Sequence, residues 1–335
     1  MTNQEKTSVI VDHQAHWYPR SCVEALIGRS DYPKVVRGSD GGYIFLADDG
    51  IAQPAMGALT TDVEEHLAEA DAAGTDVLVF GPATLSEVLH LPAAEAAGML
   101  DRIHQEYAAA QRAYPGRIAC LAALPMQDSA TALEVLNRAV GELGLRGVSL
   151  LTSNEGRPLA SDDKLPVFAR IAELGVPVFL HPGLRSATRD RTHGFREEVG
   201  LAWMYQTARA ALELVDSGTL DAIPDLVVVH PHLGGVLPYV AGRISPLGGS
   251  KAQHPLEHYL KTRFYADTAA ATPAALGLAV QTYGADRLVF ATDHPFGPMP
   301  ALRLYLEDNL AQETVRRIYA NRVRGLTLLA EEPVK

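Results

Sequence analysis

The stretch that decides the fold is IACLAALPMQDSATALEVLNRAVGELGLRGVSLLTS, residues 118–153. It opens with an apolar run, residues 118–125, and closes with a second one, residues 147–153. Between them, residues 129–144 carry apolar side chains at spacings of three and four and end on a glycine, which predicts an amphipathic helix. Runs that are apolar nearly throughout are typical of strands covered on both faces. The stretch therefore predicts one strand–helix–strand unit of a parallel sheet.

The same unit recurs along the whole chain. Eight short apolar or β-branched runs are separated by helical patterns; they are residues 8–16, 75–82, 118–125, 147–153, 177–182, 225–232, 264–270 and 288–295. Eight repeats of strand and helix predict an α/β protein with a (β/α)8 TIM barrel. A doubly wound sheet is the alternative, but it would need a Gly-rich turn after an early strand, and no G-x-G-x-x-G occurs.

Two segments depart from a minimal barrel within a single domain of residues 1–335. Residues 21–53 follow the first strand and are rich in Gly, Pro and Asp, which predicts an inserted loop or a small hairpin around residues 43–46. The insertion either covers an active site or is an ordinary surface excursion. Residues 184–198 contain four arginines and follow a strand, so they form either an anion-binding loop at the barrel mouth or a solvated loop.

Composition excludes several classes of protein. The chain has 335 residues, of which 47% are hydrophobic, and its mean hydropathy of +0.00 excludes wholesale disorder. A net charge of -11 argues against nucleic acid as a partner. Two cysteines cannot build a disulfide framework or a Cys-rich zinc site. No stretch of about 18 apolar residues is present, so we expect no membrane partner. Together with the two cysteines, this predicts a cytoplasmic protein. We expect its partner to be a small-molecule substrate.

Polar residues cluster where the predicted strands end. The first strand ends in Asp12-His13-Gln14-Ala15-His16, the fifth in His181, the sixth in His230-Pro231-His232 and the eighth in Asp293-His294. Because the carboxyl ends of barrel strands converge, His16, His181 and Asp293 predict a three-ligand metal site. For any single histidine, a hydrogen-bonded structural role is the alternative.

Strand periodicity assigns faces to these residues. Strict alternation places Asp12, Gln14 and His16 on one face of the first strand and His13 on the other. The same parity places His230 on the face of His232, so that His230 competes with His232 for a catalytic role.

Four segments carry a family resemblance. They are VDHQAHWYP (residues 11–19), GVPVFLHPG (175–183), IPDLVVVHPHLGGVLPYVAGRI (223–244) and GADRLVFATDHPFG (284–297). In order and separation they resemble the amidohydrolase-2 branch of the amidohydrolase superfamily, the group of aminocarboxymuconate-semialdehyde decarboxylase and γ-resorcylate decarboxylase.

The resemblance implies roles for individual residues. His16, His181 and Asp293 would bind one divalent metal ion, Zn²⁺ with Mn²⁺ as the alternative. His232 would activate a metal-bound water or handle the substrate proton, beside Asp293, and Arg243 would support the site. The implied reaction is decarboxylation of a hydroxylated aromatic or unsaturated cyclic carboxylic acid. Relatives are often homodimers whose partner lends an arginine to the site.

Gln14 is the main departure from the family pattern, which has H-x-H or E-x-H where this chain has Gln14-Ala15-His16. A glutamine carbonyl is a poorer ligand than imidazole or carboxylate, so metal affinity should fall. Three readings stay open: Gln14 coordinates weakly or through water, His13 substitutes for it through a bulge, or the site is metal-free.

The strand ends also bear on the reaction and the substrate. The fourth strand ends in residues 151–153 (LTS), with no lysine that could bridge two ions, so the chemistry should be mononuclear. Trp17, Phe296 and His294 are candidate substrate contacts, with plain packing as the alternative. Residues 51–59 contain no arginine, so a dicarboxylate substrate is not expected. The alternative functions are a hydrolase or hydratase with the same metal-bound water, and a metal-independent relative.

Overall fold

The strands in the described part of the protein form two sheets. A computed structural model describes residues 9–39, 41–48, 51–56, 61–152, 157–183, 195–269 and 271–328. Its strands are β1 Val11–His16, β2 Lys34–Arg37, β3 Tyr43–Asp48, β4 Ile51–Met56, β5 Val77–Gly81, β6 Ile118–Ala123, β7 Gly147–Leu151, β8 Val178–His181, β9 Val228–His230, β10 Phe264–Asp267 and β11 Leu288–Val289. The order β1-β5-β6-β7-β8-β9-β10-β11 gives one eight-stranded parallel sheet. The predicted TIM barrel is confirmed.

Helices connect successive strands of the barrel. They are α1 Arg20–Leu26, α2 Val63–Ala73, α3 Ala93–Ala113, α4 Ser129–Leu136, α5 Leu165–Glu173, α6 Phe195–Glu197, α7 Trp203–Asp216, α8 Thr219–Ala222, α9 Leu237–Ile244, α10 Leu256–Thr262, α11 Pro273–Tyr283, α12 Met299–Asn309 and α13 Gln312–Ala320. Local sequence sets their starts: Asp62 caps α2 and Asp128 caps α4 by accepting hydrogen bonds from backbone N–H groups. None of the helices in the ranges given above has both the length and the apolar character needed to cross a bilayer.

The barrel closes between its first and last strands. Because β11 is only two residues long, the chain after it makes most of this seam. The amide of His13 donates to the Phe290 carbonyl at 2.9 Å, and the amide of Asp293 donates to the Gln14 carbonyl at 2.9 Å. Ala15 and His294 also form a parallel bridge. The seam therefore joins the two segments that carry His16 and Asp293.

Alternating strand residues fill two kinds of core. Valines, with some larger side chains, pack inside the barrel, and this cluster contains Val11, Val77, Val79, Ala119, Leu121, Phe179, Val227, Val229, Tyr265, Val289, Val323 and Leu326. The intervening positions, such as Leu78 and Phe80, pack between the sheet and the helices. This alternation leaves the strand ends as the main positions for polar side chains.

The insertion after β1 is more ordered than a loop. Strands β2, β3 and β4 form a separate three-stranded antiparallel sheet, and residues 20–26 form helix α1. Residues 43–46, around which a hairpin was expected, lie within one strand, β3, which pairs antiparallel with β2 on one side and with β4 on the other. Most of the Arg-rich segment, residues 184–194, lies outside the described residues.

Candidate metal centre

A bulge in β1 sets which of its side chains face the centre of the barrel. Asp12 pairs with Leu78 and Ala15 pairs with Phe80, so β1 carries one extra residue between these pairs. As a result His13 and Gln14 both line a cavity of about 10 Å³ with His16 and His181. The expectation from strict alternation, that His13 points to the opposite face, was wrong because it assumed a regular strand.

Three side chains converge at the carboxyl ends of the strands. One donor atom each from His16, His181 and Asp293 lies within 4.8 Å of the other two. Nε2 of His16 is 2.8 Å from Oδ1 of Asp293, and the two imidazole rings are 5.0 Å apart, edge to face. Two imidazoles and a carboxylate at this separation are a suitable ligand set for one divalent ion.

The outer nitrogens of both imidazoles are held by the backbone. Nδ1 of His16 lies 3.3 Å from the Gly81 carbonyl, and Nδ1 of His181 lies 2.7 Å from the Pro182 carbonyl. In the tautomer in which each Nδ1–H donates to its carbonyl, each Nε2 would offer its lone pair to a cation, which for His16 replaces the hydrogen bond to Asp293. Metal-binding histidines are usually oriented in this way, so the residues present fit a metal ion.

The protonation states of Asp293 and His181 also favour binding of a cation. Burial raises the pKa of Asp293, but the hydrogen bond from His16 and the charges of His16 and His232 outweigh it and bring the pKa down to about 2. Burial lowers the pKa of His181 to about 3. An ionised carboxylate and a neutral imidazole are the protonation states in which these groups bind cations.

Gln14 contacts the cluster through its amide nitrogen. Nε2 of Gln14 donates to Oδ1 of Asp293 at 3.0 Å and lies 3.5 Å from Nε2 of His232. An NH₂ group donates hydrogen bonds and offers no lone pair to a metal ion. Gln14 is therefore placed at the centre, as expected, but in this orientation it acts as a donor to a ligand rather than as a ligand.

His232 lies on the other side of Asp293, on a tightly turned backbone. Residues 232–235 all have positive φ, at 55°, 57°, 84° and 57°. The His232 amide donates to Oδ1 of Asp267 at 2.8 Å, and its Nε2 lies 4.0 Å from Oδ2 of Asp293. Burial lowers the pKa of His232. The imidazole thus faces the same space as the three converging donors, where it can hold or move a proton.

His230 does not face this space. Its Nδ1 shares a 2.9 Å hydrogen bond with the hydroxyl of Tyr283, on helix α11, and its ring lies against Phe264. The expectation that His230 and His232 share a face was wrong, because the strand ends at His230 and the turn beyond it does not preserve parity.

The three candidate substrate contacts and Arg243 lie in different surroundings. Phe296 is 43% exposed, with its ring 6.0 Å from that of His16, which suits a substrate contact. Trp17 is buried against Tyr107. His294 is buried, and its ring lies 4.9 Å from the ring of His66 in helix α2. Arg243 is exposed in the last turn of α9.

Two supporting residues at the centre were not expected from the sequence. Asp267 ends β10 and holds the backbone of His232, and the strand-end rule applied to that strand would have found it. Thr292 precedes Asp293, and its backbone N–H donates a hydrogen bond to Asp12. The two residues are 280 positions apart in sequence, so no local sequence pattern predicts this contact.

Comparison with known proteins adds a family to this geometry. The Amidohydrolase family model (Amidohydro_2) matches residues 11–321. The γ-resorcylate decarboxylase of Rhizobium radiobacter is 33% identical over 199 residues, which are 54% of this chain and 61% of that protein. The chain spans 52–61% of the length of three curated relatives that it matches.

Solved structures share the fold. The apo IDCase of Metarhizium anisopliae matches with a TM-score of 0.81 and 22% identity, over 93% of this chain and 95% of that chain. The 5-carboxyvanillate decarboxylase of Novosphingobium aromaticivorans, with bound manganese, matches with a TM-score of 0.77 and 20% identity, over 96% and 97% of the two chains. From the match over residues 11–321, the chain belongs to the amidohydrolase family (Amidohydro_2).

Proposed function

We propose that the protein is a mononuclear metal-dependent decarboxylase of a hydroxylated aromatic or unsaturated cyclic carboxylic acid. The observation that carries this proposal is the convergence of His16, His181 and Asp293 within 4.8 Å of one another, with His232 facing the same space. The names of relatives such as γ-resorcylate decarboxylase support the reaction class.

The bound ion would supply a positive charge that binds the substrate carboxylate and a neighbouring oxygen. His232, in its protonated form, donates a proton to the ring carbon that bears the carboxylate. The bond between that carbon and the carboxylate then breaks, carbon dioxide leaves, and the proton stays on the ring. Gln14 holds Asp293 by its hydrogen bond. Phe296 offers an apolar face to the ring at the open side of the centre.

Zn²⁺ is our first candidate for the ion, and Mn²⁺ is the alternative. Two imidazoles and one carboxylate suit both ions. The manganese bound in the structurally similar 5-carboxyvanillate decarboxylase supports Mn²⁺.

Metal analysis together with a substrate panel tests the proposal. We expect close to one ion per chain after loading, and carbon dioxide release from members of a panel of hydroxybenzoates and unsaturated acids. Less than about 0.1 ion per chain, both as purified and after loading, would refute a metal enzyme and favour the metal-independent relative. Bound metal with hydrolysis or hydration, and without carbon dioxide release, would favour the hydrolase or hydratase.

We also propose a homodimer that uses the face formed by α7, the turn before it and α9. Leu201, Tyr205 and Tyr239 are 67%, 51% and 84% exposed, and large exposed apolar side chains in one region typically mark an interface. The two elements adjoin, because the Val236 amide donates to the Met204 carbonyl. Arg243 lies one helical turn from Tyr239 on α9, so the dimer would cover it. Sedimentation of the wild type as a monomer at micromolar concentration would refute the dimer.

A cytoplasmic location is the last part of the proposal. It is supported by the two cysteines, Cys22 and Cys120, which are buried and free, as is usual in a reducing compartment.

A further inference from the structure

Asp12 is a buried carboxylate outside the converging ligand set. Its side chain has no solvent exposure, and it lies four residues before His16 on β1. A buried carboxylate needs hydrogen-bond donors, and the donors around Asp12 come from the two segments that meet at the barrel seam.

The hydrogen bonds of Asp12 lead to residues on both sides of Asp293. Oδ1 of Asp12 accepts hydrogen bonds from the backbone N–H of Gln14 at 3.2 Å and from the backbone N–H of Thr292 at 3.0 Å. Oδ2 accepts from the hydroxyl of Thr292, and that hydroxyl in turn accepts from the His294 amide at 3.1 Å. The residues immediately before and after Asp293 are thereby tied to β1 through one carboxylate and one hydroxyl.

Asp293 needs such support because its backbone is left-handed. Its φ is 62°, a conformation that residues other than glycine rarely adopt unless the surrounding structure imposes it. Its own amide donates to the Gln14 carbonyl, so the main chain also anchors it to β1. The carboxylate of Asp293 then lies 2.8 Å from Nε2 of His16.

We infer that Asp12 and Thr292 are positioning residues for the metal centre: their side-chain hydrogen bonds hold Asp293 in its left-handed turn and direct its carboxylate toward His16. The inference rests on the proposed function in one respect, namely that the centre binds a divalent ion. Its geometric content, the conformation of Asp293, is independent of that ion.

The test uses Thr292→Val, which removes the hydroxyl and preserves the shape of the side chain, with Thr292→Ser as the matched control. Binding of Mn²⁺ to the full-length protein is measured by calorimetry, and the visible spectrum of the Co²⁺-loaded protein reports ligand geometry. We expect Thr292→Val to weaken Mn²⁺ binding by about 10- to 100-fold and to change the Co²⁺ spectrum, because supporting partners of metal ligands contribute on that scale. Thr292→Ser should match the wild type in both readouts.

Asp12→Asn is the second variant, in case Thr292→Val does not fold. It keeps one acceptor oxygen and loses the acceptor for the Thr292 hydroxyl, so we expect the same direction of change. Mn²⁺ affinity and a Co²⁺ spectrum unchanged from the wild type in the folded variants would overturn the inference.

Crystal structures of the metal-free wild type and variants separate this inference from the proposed function. If the wild type binds no divalent ion, the proposed function fails. The φ angle of Asp293 and its contact with His16 in the crystal structures would still test the positioning role. We expect Asp293 to leave its left-handed conformation, or its carboxylate to move away from His16, in Thr292→Val. The same φ and the same contact with His16 as in the wild type would refute the positioning role.

Discussion

Replacing Gly235 by alanine should destabilise the protein by about 2–5 kcal/mol. An added Cβ would lie 2.3 Å from the Met204 carbonyl oxygen and 2.8 Å from Oγ1 of Thr207. The left-handed φ of 57° costs an L-residue about 1–2 kcal/mol, and forcing the backbone of α7 aside adds about 1–3 kcal/mol. Because the Gly235 amide donates to the His232 carbonyl, the displacement reaches the candidate catalytic residue, and turnover should fall as well.

Urea unfolding followed by far-UV circular dichroism measures this loss. Gly242→Ala is the matched control: Gly242 lies in helix α9, and no atom of the described residues outside the local helix backbone lies within 4 Å of an added Cβ, so alanine there should stabilise the protein by about 0.5–1 kcal/mol. If Gly235→Ala lowered the free energy of unfolding by less than about 0.5 kcal/mol, the close approach of the turn to Met204 would be refuted.

Three further predictions concern the centre itself. His232→Ala should lower kcat by about 10²- to 10⁴-fold while metal content measured by mass spectrometry stays near the wild-type value; loss of the ion would instead make His232 a ligand. Gln14→His should tighten binding of Zn²⁺ in calorimetry, because an imidazole lone pair replaces an amide donor, and an unchanged affinity would place Gln14 outside the ligands. Nε2 of His13 is buried without a hydrogen-bond partner among the described residues and lines a cavity of about 10 Å³, so a crystal structure at high resolution should show one ordered water there; an empty cavity would contradict this.

Much of the fold could be predicted because each barrel strand is short, apolar and followed by a helix of clear periodicity. The apolar face of each strand has no alternative to the barrel interior or the helical layer, so the pattern fixes the topology. The insertion was harder, because the Gly, Pro and Asp residues within 21–53 break its apolar side chains into short runs from which pairing is hard to infer. Only antiparallel pairing around residues 43–46 could be located, and helix α1 was not anticipated.

The limits of prediction at the centre are local and geometric. His16, His181 and Asp293 could be grouped because each ends a strand, and strand ends converge in a barrel. The side of β1 on which His13 lies could not be predicted, because one bulge residue reverses the parity. For His232, the left-handed turn after Pro231 breaks the strand repeat, so counting residues beyond β9 assigned His230 to the wrong face.

The seam of the barrel has a consequence for biosynthesis. His16 and Asp293 are 277 residues apart in sequence, and they meet only where the first strand joins the chain that follows the last. A nascent chain contains His16 long before the ribosome has made its carboxylate partner, so both residues could hold the proposed ion only after the ring has closed. Appearance of high-affinity ion binding would then report that folding is complete, and a variant that closes slowly would be captured by chaperones or proteases in its metal-free form.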